Sequence, residues 1–340
     1  MVARKIGRQT LAFQNPPVIT GTSSVVGPKE GDGPLGRSFD VVKQDSILGE
    51  MTWEKAESRM MYEASLLAVK KAGLAVDEVD LFLGGDLLNQ IICCNFTARD
   101  LSIPFFGLYN ACATFTEGLA LGSALVDAGF ARHVLVGACS HHETAERQYR
   151  YPTEFANQRP PTAHWTATAA GAAVLSASGK GPRITHATVG RVVDMGLKDP
   201  NDMGSCMAPA AAETIWQHFQ DTGFRGEDYD LVVTGDLGGV GKGLAGELLA
   251  KSGYDLSDRL HDCGIMIYDP AQGVNAGGSG AGCSAAVFSG YLVKRLLAGE
   301  IHRLLLVATG SLHSPTSYQQ GESIPGIAHA ITIQGEGVQG

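Results

Sequence analysis

The chain has 340 residues, of which 44% are hydrophobic and 18% charged, a composition typical of a globular protein with a large core. Its formal net charge of −9 argues against a nucleic-acid or anionic-membrane surface, so no nucleic-acid partner is expected. No apolar run approaches the ~20 residues of a membrane span, and the charged N-terminus lacks the apolar segment of a secretory signal. The seven cysteines lack zinc-knuckle spacing, which favours a reduced, soluble, intracellular protein.

In the first half of the chain, apolar strands alternate with helices, a pattern that predicts an α/β fold with parallel connections. A strand is predicted over residues 17–27 and a helix over residues 52–72, with Thr52 as its N-cap. The continuous apolar run 79–87 ends in glycine and is typical of a strand buried on both faces. A shorter strand is predicted over residues 103–109.

Cys112 lies where that short strand gives way to a helix of small residues that runs to about residue 126. Unpaired backbone N–H groups and the helix dipole at such a position favour a thiolate, which is how a nucleophilic cysteine is made. Free cysteine is also among the most buried residue types and often only fills space. Position alone leaves both interpretations open.

An internal repeat relates the two halves of the sequence. The run 79–87 matches residues 229–237, and residues 129–136 match residues 299–306 in the same order. Two matching segments in matching order indicate a duplication rather than a chance recurrence of strand patterns.

The repeat predicts two halves, residues 1–180 and 181–340, joined at a Gly/Pro turn. The glycine-rich stretch around Gly280 and Cys283 is then the second-half counterpart of the helix start at Cys112. We expect the two small-residue helices to pack closely in the centre of the molecule, with both N-termini aimed at one site.

In a duplicated α/β chain, the motif Asn110-Ala111-Cys112-Ala113-Thr114-Phe115 resembles the nucleophile motif of the thiolase superfamily, especially its ketoacyl synthase III branch. The resemblance covers nearly the whole chain. It implies an α/β, thiolase-like fold with duplicated αβαβα layered halves and pseudo-two-fold symmetry. It also implies a homodimer in which the strand at 103–109 pairs across a two-fold axis.

The same resemblance implies catalytic residues that this chain lacks. In that family the cysteine is acylated with help from a histidine, whose position falls here at Gly235 or Asp236, and from an asparagine or second histidine, whose position falls within residues 278–282. Without these groups the thiol has no base and no polar oxyanion hole. We therefore expect a non-catalytic, degenerate thiolase fold in which Cys112 is a pocket-floor residue and a relic of the nucleophile.

A narrower resemblance covers the chain from end to end. Residues 140–154 (SHHETAERQYRYPTE), 158–163, 314–317 and 321–329 are similar to the stage V sporulation protein AD family. That family belongs to the spore SpoVA machinery, which moves dipicolinic acid (pyridine-2,6-dicarboxylate), usually with calcium. The resemblance implies that the chain binds the acid or its calcium chelate without a cofactor. It also implies a peripheral place at the spore inner membrane, beside integral membrane partners, in sporulation and germination.

A planar dianion suits guanidinium groups, whose forked donors pair with carboxylates. Arg147, Arg150 and Arg159 lie in one Pro- and aromatic-rich segment, and a solvated, ion-paired loop is the alternative interpretation. Histidines and helix-start residues complete the candidates, although each histidine is individually more often structural. The candidate ligand-binding residues are Cys112, His142, Arg147, Arg150, Arg159, His164, Asp236, Gly280, Cys283 and His313.

Asp86 and Asp236 end the repeated strands, at the edge where open α/β sheets bind ligands. They would contact calcium or the pyridine, or would cap the next helix, which is the commoner role. Cys139, His141 and His142 are too close in sequence to converge readily on one ion, so no zinc site is expected there.

Two other functions remain open from the sequence. One is an acyltransferase that depends on Cys112, and the other is a structural scaffold that docks on a membrane channel.

Overall fold

A computed structural model describes residues 4–336 of the chain. Its strands are β1 Arg4–Ile6, β2 Thr10–Ala12, β3 Val18–Val26, β4 Val41–Val42, β5 Leu81–Gly85, β6 Phe105–Gly107, β7 His133–Ser140, β8 Trp165–Thr166, β9 Ala169–Ser176, β10 Arg183–Val189, β11 Leu231–Thr234, β12 Leu260–Asp262, β13 Gly278–Ser279, β14 Arg303–Ser311 and β15 Gly326–Gln334.

Its helices are α1 Pro28–Gly31, α2 Trp53–Lys71, α3 Ile92–Leu101, α4 Thr114–Asp127, α5 His142–Tyr149, α6 Met203–Thr222, α7 Gly238–Lys251, α8 Cys263–Met266, α9 Ala281–Val287, α10 Val293–Leu297 and α11 Pro315–Tyr318. A π-helical turn, Phe288–Leu292, joins α9 to α10.

The main strands of each half pair in the same order. The first half reads β6-β5-β7-β9-β3 and the second reads β12-β11-β14-β15-β10. Numbered in chain order within each half, both sequences of strands are 3-2-4-5-1, and in both halves the fifth strand runs antiparallel to its neighbours. The duplicated α/β architecture predicted from the repeat is therefore confirmed, and a contact between β3 and β10 joins the halves into one sheet.

Most predicted elements agree with the structure to within a few residues. The helix predicted over residues 52–72 is α2, and the Thr52 hydroxyl accepts a hydrogen bond from the Lys55 N–H at 3.3 Å, so the predicted N-cap is confirmed. The strand predicted over residues 103–109 is shorter in the structure, where β6 has only three residues. The helix after Cys112 begins at Thr114, because a 3₁₀ turn comes first and Ala111 adopts a left-handed φ of 50°.

Helices α4 and α9 touch one another in the centre of the molecule, as the repeat predicts. Helix α4 contacts β7 in the first half and β14 and β15 in the second, whereas α9 packs on β7 and β9 of the first half. An added Cβ at Gly171 would lie 2.2 Å from the Ala285 carbonyl carbon, and one at Gly282 would lie 2.1 Å from the Ala169 carbonyl oxygen. Glycine at both positions therefore allows the α9 backbone to lie directly against β9 and brings its N-terminus to the centre.

Strand β6 lies at one end of the sheet, where its Phe106 side chain is 60% exposed. Among residues 4–336, no helix has both the length and the apolar character that crossing a bilayer requires.

Candidate functional site

Cys112 lies beside Asp236 at the meeting point of the two halves. The Asp236 carboxylate follows β11, and it accepts hydrogen bonds from the Gly280 N–H at 3.0 Å and the Thr309 hydroxyl at 2.7 Å. Burial raises the pKa of Asp236 to about 7. Burial and the neighbouring Asp236 raise the pKa of the Cys112 thiol well above its usual value, so the helix start does not produce the thiolate considered from the sequence.

The structure also explains why residue 280 is glycine. Its φ is 110°, a conformation that side chains disfavour, and an added Cβ would lie 2.5 Å from the Ser140 hydroxyl oxygen. The Ser140 hydroxyl donates to the Ala167 carbonyl at 2.7 Å and accepts from the Gly282 N–H at 3.1 Å. Backbone geometry and the Ser140 side chain therefore leave no place for an asparagine or histidine at this position.

A pocket of about 40 Å³ opens above Cys112. Tyr149 and Arg150 line it from the first half, and Ser311 and His313 line it from the second. An adjoining pocket of about 260 Å³ shares Arg150 and extends to Arg159. The second pocket is just below the roughly 300–1,000 Å³ of typical small-molecule sites, and the first has room for only a few water molecules.

Arg150 and Arg159 converge on Glu146 between the two pockets. The Arg150 Nη1 atom donates to a Glu146 carboxylate oxygen at 2.8 Å, and the same oxygen lies 3.8 Å from Arg159 Nη2. The Arg150 side chain is only 8% exposed, yet its Nε–H has no hydrogen-bond partner, and Arg159 Nη2 has none either. Two guanidinium groups therefore face one carboxylate, which leaves positive charge and spare donors at the pocket.

His142 and Trp165 form an aromatic wall of the second pocket. Their rings stack with centroids 3.7 Å apart and an interplanar angle of 2°. Lys29 Nζ lies 4.2 Å from the centroid of the Trp165 ring, and the Arg159 guanidinium lies 5.0 Å from it. Burial lowers the pKa of His142 to about 3, so this ring is neutral at physiological pH.

His313 faces Cys112 across the smaller pocket, between Tyr149 and Tyr318 at centroid distances of 5.4 and 4.8 Å. Its Nε2 atom is buried without a partner. Burial and the positive charge of Arg150 lower the pKa of His313 to about 4. A neutral imidazole with a free nitrogen is able to donate a hydrogen bond to an anion without carrying charge itself.

Five of the ten predicted site residues line neither pocket. Asp236 and Gly280 lie beside Cys112, and the other three are Arg147, His164 and Cys283. Arg147 is 46% exposed, pairs with Glu54 and does not join the other two arginines. His164 is fully buried, and its Nε2 lies 3.1 Å from the Leu237 carbonyl oxygen. Cys283 is buried inside α9, 3.9 Å from the Gly235 carbonyl oxygen. The structure gives all three residues packing or surface contacts instead of a position on a pocket wall.

Sequence reasoning did not select four residues that line the pockets. Tyr149, whose hydroxyl donates to the Leu87 carbonyl, and Glu146 were read only as neighbours of the arginines. Trp165 and Ser311 had no local motif to mark them. The repeat offered one signal for Ser311, since it matches Ser140 at the end of the equivalent strand β7.

The fold defines the class of protein. The chain superimposes on 3-oxoacyl-[acyl-carrier-protein] synthase III from Aquifex aeolicus with a TM-score of 0.59 and 15% identity, covering 94% of this chain and 99% of that one. It is similar to an OleA variant from Xanthomonas campestris with a TM-score of 0.62 and 18% identity, over 95% and 97% of the two chains. At such identities the likeness shows the fold alone, which is that of the thiolase-like ketoacyl synthases.

The sequence defines the family within that class. The family model for stage V sporulation protein AD matches residues 7–334. The chain is 47% identical over 331 residues to stage V sporulation protein AD of Bacillus subtilis (strain 168), covering 97% of this chain and 98% of that protein. It is also 32% identical to a β-ketoacyl-[acyl-carrier-protein] synthase III of Rhodopirellula baltica over 130 residues, about a third of each chain. The chain therefore belongs to the stage V sporulation protein AD family of sporulation proteins.

Proposed function

We propose that the chain binds dipicolinic acid, a planar pyridine dicarboxylate, in the joined pockets around Arg150, Arg159 and His313. The observation that carries the proposal is the set of buried donors without partners at that place: Arg150 Nε, Arg159 Nη2 and His313 Nε2. A buried polar group is normally hydrogen-bonded, because leaving it unpaired costs about 1–3 kcal/mol. A ligand with several carboxylate oxygens would satisfy these donors together.

Charge and shape support the same class of ligand. The two guanidinium groups exceed the single Glu146 carboxylate between them, so an anion enters a positive field. The stacked rings of His142 and Trp165 add an aromatic wall beside these charges. Because the pKa values of His142 and His313 are lowered by burial, their rings are neutral and the two arginines supply the charge.

The proposed binding is non-catalytic. The Cys112 thiol is held in its neutral form by burial and by Asp236, whereas thiolase-type chemistry requires a thiolate. Residues 278–282 contain no asparagine or histidine that could complete an oxyanion hole. A pocket that keeps the fold of a synthase and has an aspartate in place of the catalytic histidine is suited to holding a carboxylate unchanged.

We place this binding in the spore SpoVA machinery, which takes up dipicolinic acid in sporulation and releases it in germination. In this proposal the ligand arrives alone or as its calcium chelate, and integral membrane proteins of the same machinery are the partners at the spore inner membrane. A homodimer would form through the edge strand β6 and its exposed Phe106.

Isothermal titration calorimetry of the purified protein tests the proposal. Dipicolinate should give saturable heat, and benzene-1,3-dicarboxylate, which keeps both carboxylates, should bind more tightly than pyridine-2-carboxylate, which keeps one. Arg150→Ala should weaken dipicolinate binding by roughly ten- to hundredfold, the value of a hydrogen bond to a charged group. Arg147→Ala is the matched control, because its guanidinium pairs with Glu54 outside the pockets, and it should leave the affinity unchanged.

Absence of heat with the wild-type protein, with and without calcium, would contradict the proposal. Capture of SpoVA membrane proteins by a chain that binds no dicarboxylate would favour the scaffold instead. A mass increase at Cys112 after incubation with acyl-coenzyme A would favour the acyltransferase.

A further inference from the structure

A second polar cluster lies buried in the first half, outside the pockets described above. Glu57 comes from α2, Asp86 follows β5, Cys93 and Cys94 begin α3, and Cys139 lies on β7. All five residues are completely inaccessible to solvent. The topology thus brings three thiols and two carboxyl groups from four segments of chain into one small volume.

The side-chain atoms of this cluster are close enough to share an ion. The ligand atoms of Asp86, Cys94 and Cys139 all lie within 4.8 Å of one another. Those of Glu57, Asp86 and Cys93 satisfy the same limit, so Asp86 belongs to both groups. Two ligand atoms bound to one tetrahedral metal ion, at metal–ligand distances of about 2.0–2.3 Å, are less than 4.8 Å apart. Both groups are therefore compact enough to hold an ion.

One oxygen in the cluster has no partner. Glu57 Oε2 accepts a hydrogen bond from the Thr144 hydroxyl at 2.9 Å, whereas Glu57 Oε1 is buried and makes no hydrogen bond. His141 makes no hydrogen bond to it, because its Nε2 lies 2.7 Å from the Ser46 carbonyl oxygen and its Nδ1, although 3.1 Å from Glu143, makes no hydrogen bond. An unpaired carboxyl oxygen at full burial is costly unless another group, such as a cation, compensates it.

The first turn of α3 favours negative charge at the same place. The Cys94 N–H donates to Asp86 Oδ2 at 2.8 Å, and the Leu88 N–H donates to Asp86 Oδ1 at 2.9 Å. These bonds orient the Asp86 carboxylate and leave each oxygen a second lone pair. The positive end of the α3 dipole adds to this stabilisation.

We propose that Asp86, Cys94 and Cys139 form a buried structural site for a thiophilic divalent cation of the Zn²⁺ class, and that Glu57, which lies close to Asp86, closes in as the fourth ligand when the ion binds. Two thiolates and two carboxylate oxygens are ligands that Zn²⁺ accepts in tetrahedral sites. When the ion binds, Cys94 and Cys139 release their thiol protons to solvent as two metal–sulfur bonds form. If Glu57 carries a proton, its carboxyl group releases it as well. No electron is transferred.

Complete burial indicates that the ion would enter while the chain folds. The site ties α2, α3, β5 and β7 together, so its occupation would stabilise the first half of the molecule. It is separate from the dicarboxylate pockets and does not depend on the function proposed for them.

Metal analysis after refolding tests the proposal. The full chain is unfolded in denaturant with a reductant and a chelator, refolded with Zn²⁺ or Co²⁺, and washed with chelator to remove surface ions. About one zinc per chain is expected by mass spectrometry, and the cobalt form should show thiolate-to-cobalt charge-transfer absorption. Folded wild-type protein that holds no metal and shows no such absorption would overturn the proposal and would indicate a hydrogen-bonded cluster of neutral thiols and acids.

Matched cysteine variants locate the ion. Cys94→Ser and Cys139→Ser should lose the metal and the absorption, whereas Cys206→Ser and Cys263→Ser, which alter buried cysteines of the second half, should keep both. Retention of full metal content by Cys94→Ser and Cys139→Ser would also overturn the assignment. If these variants do not fold, the cobalt spectrum of the wild-type chain decides alone, because absorption without thiolate character excludes cysteine ligands.

Discussion

Asp86 and Asp236 occupy equivalent places in the two halves and have different roles. Asp86 accepts hydrogen bonds from the N–H groups of Leu88 and Cys94, and so holds the start of the following helix α3. Asp236 instead accepts from Thr309 and Gly280 and faces the centre of the molecule. Both halves therefore have an aspartate at the end of the equivalent strand, but the two aspartates accept hydrogen bonds from different groups.

The difference arises from a third aspartate. In the second half, Asp262 accepts from the N–H groups of Leu237 at 2.8 Å and Gly238 at 3.1 Å, and so holds the start of α7. With that helix capped, the Asp236 side chain is available to Cys112 and to the N-terminus of α9. An aspartate at a repeated strand end is therefore needed as a helix cap only where no neighbouring residue caps that helix.

The first prediction, with the largest expected effect, concerns Gly280, whose N–H group donates to Asp236. Gly280→Asn should lower the free energy of unfolding by roughly 4 kcal/mol, because it adds strain at a φ of 110° to a clash with Ser140. Chemical denaturation measures the loss. Gly243→Ala is the control, since no atom lies within 4 Å of the added Cβ, and it should be neutral or slightly stabilising. Unchanged stability of Gly280→Asn would mean that the α9 start can relax away from Ser140.

The second prediction concerns pH. The folded-state pKa of Asp236 is raised to about 7, so its contribution to stability is fully present below its unfolded pKa and is lost as the pH rises through 7. Between pH 5 and pH 8 this single group should lower the free energy of unfolding by roughly 2–3 kcal/mol. Asp236→Asn should remove this part of the dependence of the free energy of unfolding on pH. Chemical denaturation at several pH values between 5 and 8 measures it.

Asp255→Asn is the matched control for that pH dependence. A backbone hydrogen bond from the Ser257 N–H at 3.0 Å holds the pKa of Asp255 below its usual value, and its contribution is lost only in acid. The substitution should therefore shift stability equally at pH 5 and pH 8. A slope that is the same in wild-type and Asp236→Asn protein would contradict the raised pKa of Asp236.

The third prediction has the smallest effect and concerns the thiol beside Asp236. Cys112→Ala should keep dipicolinate affinity within about twofold and should cost about 1 kcal/mol of stability, because only a small buried side chain is shortened. Calorimetry and urea denaturation measure the two quantities. Loss of binding in Cys112→Ala, comparable to that expected for Arg150→Ala, would make the sulfur a direct contact.

The sequence was sufficient for the fold because the repeat is regular. The match between residues 79–87 and 229–237 predicted the equivalence of β5 and β11, and the small residues near Gly280 predicted close packing of α9. These features depend on periodicity and residue size, which a single sequence displays directly.

The site was less predictable because side-chain direction decides it. Arg147 was grouped with Arg150 on the assumption of a loop, but the segment is helix α5, and one helical step rotates Arg147 about 100° away from Glu146. The contact between His142 and Trp165 links residues from different elements, and the cluster around Asp86 draws on four. Only the tertiary fold specifies such neighbours.

The short pair of strands β8 and β13 connects the two halves beside the two pockets. The Trp165 N–H donates to the Gly277 carbonyl and the Ala167 N–H to the Ser279 carbonyl, both at 2.8 Å. The aromatic wall of the first half is thereby fastened to the residues that lead into α9 of the second. The register of β8 against β13 therefore sets where the indole lies relative to the start of α9.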